Sequence, residues 1–478
     1  MKVLRSLTAS IIIMSPLLTT LPVAHAETLA EVFALAKQND AVMKAQDANY
    51  EANKETAALA RSALLPQAAF TGSRSKVDNN NYLVQSYINP SPPPSTVTTK
   101  SPDINYKAYT YGVTVTQKLF DVQSWFAWRS GESIASQAEA QHLSDQQQLI
   151  IRVTQAYTDV LNAIDAYNTA KAEEAAMARQ LDQTKQRFDV GLVAITDVYD
   201  SQASYDAAVV NSLGAKGQIG IMFEALENLT GQPIQSIAPL SDDFVVKNPE
   251  PANREEWVSN ALEHNADLKV SEFAREAAYK NAESKTAAHL PTVTGSYQHT
   301  KTDSDATSTP YIPAYDMPAG VSQDNKNEVF AISLTMPLFA GGGISASRRQ
   351  AWDQYYAAQD GYESARRGTV QAARSYHLAV TTDVARVTAQ KQAILSAQSA
   401  LDATQAGYEA GTRNIVDVLL AERALYETQH AWQTARYQFI NDYLKLKKVS
   451  GNLTPEMIQN TEAFLLKDKP LQRSEFDN

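Results

Sequence analysis

The chain offers few groups that could make or break covalent bonds. Ser73-Arg74-Ser75-Lys76 places a hydroxyl and an amine at the Ser-x-x-Lys spacing, in which the amine would take the proton of an attacking serine. The Ser-Asp-Asn and Lys-Thr-Gly motifs that complete such a site are absent, and the serine falls in strand-like sequence, so the spacing is coincidence. The seven histidines include no His-Glu-x-x-His pair that would hold zinc, and Gly341-Gly342-Gly343 lacks the lysine a phosphate-binding loop needs. Those glycines instead suit the turning of a strand into a helix. With no cysteine there is no disulfide, no thiolate metal site and no lipid-bearing N-terminal cysteine. No catalytic residue, cofactor or metal is expected, and the chain is not expected to be an enzyme.

The informative signals are architectural. Residues 1–26 have the three parts of a secretory signal: basic Lys2 and Arg5, an apolar stretch from Ile11 to Leu18, and the small-residue site Ala24-His25-Ala26. The mature chain is expected to begin near Glu27 and to work outside the cytoplasm. Beyond the signal no run of about eighteen apolar residues occurs, so a membrane would have to be crossed by strands. A net charge of −11, with both signs spread along the chain, argues against nucleic acid as a partner.

Two structural repeats are expected, at 27–245 and 246–478, offset by roughly 220 residues. Ala41-Val42-Met43-Lys44 answers Ala266-Asp267-Leu268-Lys269, Leu65-Pro66 answers Leu290-Pro291, and Leu119-Phe120 answers Leu338-Phe339. Val190-Gly191 with Asp197-Val198 answers Ala410-Gly411 with Asp417-Val418, and Leu229-Thr230-Gly231 answers Val449-Ser450-Gly451. Each repeat opens with helix-favouring sequence, residues 28–64 and 254–289, ended by the Leu-Pro pair because proline cannot continue the hydrogen-bond ladder.

Two period-two segments follow in each repeat, giving strands near 67–77 and 106–118, and near 292–300 and 328–336. Tyr109, Tyr111, Val113 and Val115 alternate with Thr110, Gly112, Thr114 and Thr116, and Phe330, Ile332, Leu334 and Met336 alternate with Ala331, Ser333 and Thr335. The polar loops between them, 78–105 and 301–327, are expected to be exposed and irregular. Long helices are then expected at about 124–189 and 344–409. At ~1.5 Å per residue each would reach roughly 100 Å, more than a compact domain can bury. Val153, Tyr157, Val160, Ile164 and Tyr167 recur at coiled-coil spacing, and Tyr157 and Tyr167 are read as packing residues. Gly191 and Gly411 should stop these rods, Thr196 can cap the first return helix, and the return helices run at about 196–230 and 415–450. The connector at 232–253 and the tail after Thr454 are expected to wrap the middle of the helical part.

Four strands cannot close a membrane barrel, since about eight are the minimum, so several chains must pool them. Three copies would supply about twelve strands, with the rods forming a second, helical barrel.

On these features the whole mature chain resembles the TolC family of trimeric outer-membrane efflux proteins. The resemblance is carried by Val190-Gly191-Leu192-Val193-Ala194-Ile195-Thr196-Asp197-Val198, and by Ala406-Gly407-Tyr408 through Gly411-Thr412-Arg413 and Ile415-Val416-Asp417-Val418-Leu419. It implies a mixed α and β fold: a homotrimer whose 12-stranded barrel spans outer-membrane lipid and continues as a coiled-coil tunnel in the periplasm. It also implies work as an exit duct with a periplasmic adaptor protein and an inner-membrane pump of RND, ABC or MFS type. Carried over by position, the groups that hold the tunnel's periplasmic end shut are Thr196, Asp197, Tyr408 and Arg413, with Arg436 as a further member. Such bonds, each worth about 1 to 3 kcal/mol, can latch a gate and still be released. Asp417 matches a position that sets a ring of carboxylates at the narrowest point, while the next expected acidic position is Leu420, leaving one ring instead of two. A periplasmic scaffold or adaptor would explain the rods but not the strands, and a diffusion porin would explain the strands but not the rods.

Overall fold

The computed structural model describes residues 27–79, 84–90, 92–100, 103–309 and 321–477. The expected secretory signal lies outside the described residues. In chain order the elements are α1 (Leu29–Asn39), α2 (Ala41–Ser62), β1 (Gln67–Asn79), β2 (Val84–Asn89), β3 (Ser95–Lys100), β4 (Asp103–Phe120), α3 (Val122–Asp189), α4 (Ile195–Thr230) and β5 (Ser236–Ile237). There follow α5 (Arg254–His264), α6 (Ala266–Ala287), β6 (Thr292–Thr309), β7 (Val321–Thr335), α7 (Gly343–Glu409), α8 (Ile415–Val449), α9 (Glu456–Glu462), β8 (Leu471–Gln472) and α10 (Ser474–Asp477). None of the described helices is long and apolar enough to cross a membrane.

The opening helix of each half is not continuous. The carboxylate of Asp40 accepts from the amides of Val42 and Met43, and Oδ1 of Asn265 accepts from Leu268 at 2.7 Å. A short acidic or amide side chain in this role satisfies the orphan donors of a new helix, so the chain restarts there. Nor is the loop at 78–105 wholly irregular, because β2 and β3 pair antiparallel within it. The strands β6 and β7 run well into the sequence expected as a polar loop, pairing from Thr292 with Thr335 to Ala306 with Val321.

The chain divides into two compact units, and each takes segments from both halves of the sequence. One comprises the residues up to Ala45, Asp145–Glu263, and Ala372 onward. Its core gathers Leu29 and Val32 of α1, Val153, Tyr157 and Val160 of α3, Phe223 and Leu226 of α4, and Tyr437, Ile440 and Leu444 of α8. Tyr157 is packed as expected, and its hydroxyl also ties down the connector: it lies 2.8 Å from the carbonyl of Ala238 and 3.0 Å from that residue's amide. The connector and the tail meet where β5 pairs with β8 and Leu240 bridges Leu465.

The other unit, Gln46–Ser144 with His264–Gln371, holds a four-stranded antiparallel sheet in the order β1-β4-β6-β7. Directly opposed residues share a face. One face therefore carries Phe70, Val113, Val115, Tyr297, Phe330, Ile332 and Leu334, and the other carries Thr71, Thr110, Thr114, Gln298, Thr300 and Ser333. Phe330, on the apolar face, is 74% exposed.

Candidate functional site at the helical hairpin turns

Each long helix ends in the same hydrogen-bonded stop. Gly191 and Gly411 adopt positive φ of 78° and 76°, a conformation that costs a glycine nothing. In the first turn the amide of Gly191 donates to Phe188 and that of Leu192 to Arg187; in the second, Gly411 donates to Tyr408 and Thr412 to Gly407. Each pair of bonds satisfies the last carbonyls of a helix and reverses the chain.

The return helices begin differently. Asn414 caps α8 with a side-chain oxygen 2.8 Å from the amide of Asp417. At α4 the cap position is Ala194, with no side-chain bond, so Thr196 does not cap that helix. It sits inside the first turn of α4, exposed, its hydroxyl 3.4 Å from a carboxylate oxygen of Asp197.

Near these turns α3, α4, α7 and α8 share a small apolar cluster of Met177, Ala208, Leu401, Tyr408, Ile415, Val418, Leu419 and Leu425. Tyr408 is only 8% exposed, and its hydroxyl is buried with no hydrogen-bond partner among the described residues. An unpaired buried hydroxyl costs about 1 to 3 kcal/mol, which a donor or acceptor from outside the chain would recover. The Arg187 guanidinium lies 4.5 Å from the centre of the Tyr408 ring. Arg413 is exposed and reaches Asp417 at 3.7 Å, one helical turn on, leaving most of its donor fork open. Its stem folds back over Gly407, where an added Cβ would meet Cγ of Arg413 at 2.8 Å. Further along the helices, burial lifts Glu173 and Glu422 above the usual carboxylate range, opposed by Arg423 and Arg179 respectively.

The arrangement presents hydroxyl, carboxylate, phenol and guanidinium at two hairpin turns of one unit, and the comparisons agree with what such turns suggest. The outer membrane efflux protein family profile matches residues 32–232 and 257–452. The chain belongs to that family. It is 33% identical over 443 residues to the outer membrane protein TolC of Vibrio cholerae, covering 92% of this chain and 94% of that one. It is 32% identical over 450 residues to TolC of Escherichia coli, covering 91% and 84%. The fold is similar to the outer membrane protein VceC of Vibrio cholerae, with a TM-score of 0.71 at 18% identity over 88% of this chain and 96% of that one. This efflux protein is thus a protein of the bacterial outer membrane and serves as an exit duct for efflux or type I secretion.

Arg436 of the efflux protein is not brought to the turns. It is wholly buried on α8, donating to Gln433 at 2.6 Å and to the carbonyl of Ser241, with Asp242 3.6 Å away and its guanidinium 4.6 Å from the Trp432 ring. Burial lowers its pKa, and the carboxylates of Asp242 and Asp165 act against that shift. Sequence reasoning did not single out Arg187, Gly407 or Asn414. The signal was available for Asn414, a cap residue three positions before Asp417. For Arg187 no local pattern could show that its partner sits on another helix.

Proposed function

We propose that three copies assemble, pooling their four-stranded sheets into one 12-stranded barrel that spans the outer membrane, with the long helices forming a closed tunnel below it. The observation that carries this reading is the sheet, which has β1 and β7 as unpaired edges and one face of exposed aromatic and aliphatic side chains. Open edges in lipid leave backbone donors and acceptors unsatisfied, at several kcal/mol each, and joining the edges of successive copies removes them all.

At the hairpin turns, the open donors of Arg413 and the unsatisfied hydroxyl of Tyr408 then meet Thr196 and Asp197 of a neighbouring copy. These bonds hold the tunnel shut until a periplasmic adaptor, docked with an inner-membrane pump, pulls the turns apart. Arg436 fits this reading as an anchor that fixes the connector to α8, away from the gate itself. Three copies of Asp417 converge as one carboxylate ring, and Leu420 leaves the next ring apolar.

The test is single-channel conductance in a planar bilayer. The wild-type protein should show a small conductance, and a Tyr408→Phe, Arg413→Ser double substitution should raise it several-fold. Low conductance in both would remove the gate while keeping the duct; no channel in assembled protein would remove the duct. A Leu420→Asp variant should gain cation selectivity and block by multivalent cations, and behaviour identical to wild type would remove the ring assignment.

A further inference from the structure

The apolar face of the sheet changes character along the strands. Rows led by Val115 with Tyr297 and Phe330, and by Phe70 with Val113, give way to Tyr111 and then Tyr109. Aromatic residues that end an apolar band mark the level where hydrocarbon meets headgroups.

Beyond Tyr111 the two halves of this face treat charge differently. On β6 and β7, Lys301 stands opposite Lys326, and Asp303 opposite Asp324, in adjacent rows. These charges neutralise one another, with Lys301 3.0 Å from Asp303 and 3.6 Å from Asp324. On β1 and β4 the matching rows pair Arg74 with Tyr109 and Lys76 with Lys107. Three cations therefore share a block of four residues, and two of them are directly opposed like charges, which destabilises an antiparallel pair. Asp305 lies across from Lys107 on the far side, on β6. The Arg74 guanidinium rests 5.3 Å from the centre of the Tyr109 ring, and all three cations are exposed. The block lies about 13 Å along the strand from Val113 to Asp305's row partner Lys107, roughly one headgroup layer beyond the apolar rows.

We infer that Arg74, Lys76 and Lys107, grouped around Tyr109, bind the phosphate of a lipid headgroup in the leaflet at the helix-distal end of the sheet. A doubly negative phosphate between the opposed lysines turns their repulsion into attraction, and the guanidinium can donate two parallel bonds to its oxygens. The apolar rows below receive the acyl chains of the same molecule. The inference rests on the reading that this sheet lies in the outer membrane.

The experiment uses the purified full-length protein in phosphatidylcholine nanodiscs containing either bisphosphorylated lipid A or the same glycolipid with its phosphates removed. Retained lipid is read by native mass spectrometry, with conductance recorded on the same preparations. The wild type should retain the phosphorylated lipid about tenfold better than the dephosphorylated one. An Arg74→Gln, Lys76→Gln, Lys107→Gln variant should lose that preference while keeping its conductance, and Lys326→Gln, in the self-neutralised half, should keep both. Equal retention by the triple variant and the wild type would overturn the site, and so would displacement by inorganic phosphate at modest concentration, which would assign it to a free ion. If the triple variant fails to assemble, Lys107→Gln alone decides the matter by the same preference. Absence of any channel in the wild type would instead count against the duct.

Discussion

The two hairpin turns share one way of stopping a helix and differ in how they start the next. Both use a left-handed glycine and the same pair of backbone bonds. Around Gly411 the side chains are engaged within the chain as well. Asn414 caps α8, the Thr412 hydroxyl bonds the Gly407 carbonyl at 3.0 Å, and the Arg413 stem packs over Gly407. Around Gly191, Val190 and Leu192 are exposed and the cap position carries only a methyl group. The difference separates two tasks that a repeat would otherwise give equally to both turns. The second turn holds Tyr408, Arg413 and Asp417 in fixed directions, while the first presents Thr196 and Asp197 outward for another surface to use.

The contrast breaks most severely at Gly407. A Gly407→Val substitution cannot coexist with Arg413 in its present position, since the Cβ alone would lie 2.8 Å from Cγ. The guanidinium should be pushed off its direction, and single-channel conductance should rise several-fold, nearly as much as in the double substitution at Tyr408 and Arg413. Wild-type conductance in this variant would show that the fixed direction of Arg413 does not matter.

A smaller effect, of opposite sign at the two turns, comes from exchanging their caps. Asn414→Ala should cost about 1 kcal/mol locally, seen as roughly fivefold faster hydrogen exchange at the amides of the first turn of α8. Ala194→Asn should slow exchange in the first turn of α4 by a similar or smaller factor, because the same orphan donors gain a partner there. Equal responses at both turns would erase the distinction drawn between them.

Much of this was legible in the sequence because its signals are local. The rods, their glycine stops and the period-two strands each follow from residue spacing, and the observed bounds of α3, α4, α7 and α8 fall within two residues of those expected. What escaped was decided by single side chains or by distance along the chain. Helix-favouring composition hid the breaks at Asp40 and Asn265, where one capping group outweighs the propensity of its neighbours. Polar composition hid the length of β6 and β7, since strands beyond the headgroup level need no apolar face. Thr196 looked like a cap by residue type, yet the helix begins one position before it. The placement of Arg436 depends on Ser241 and Asp242, almost two hundred residues earlier, and no local pattern carries that information.

The finest distinction between the turns is the Arg187 guanidinium over the Tyr408 ring. It crosses from the first hairpin to the second and holds the ring by its face, which leaves the hydroxyl free to bond elsewhere. Such a contact is worth about 0.5 to 1 kcal/mol when partly solvated. Arg187→Gln should therefore raise the conductance only slightly, by well under the effect of removing the hydroxyl, and Arg187→Lys should restore most of the loss because a cation still faces the ring. If Arg187 acted through charge repulsion or general packing instead, glutamine and lysine would be ranked by size and not by charge. An Arg187→Lys variant that conducts like Arg187→Gln would thus remove the cation from the account and leave Tyr408 held by its apolar neighbours alone.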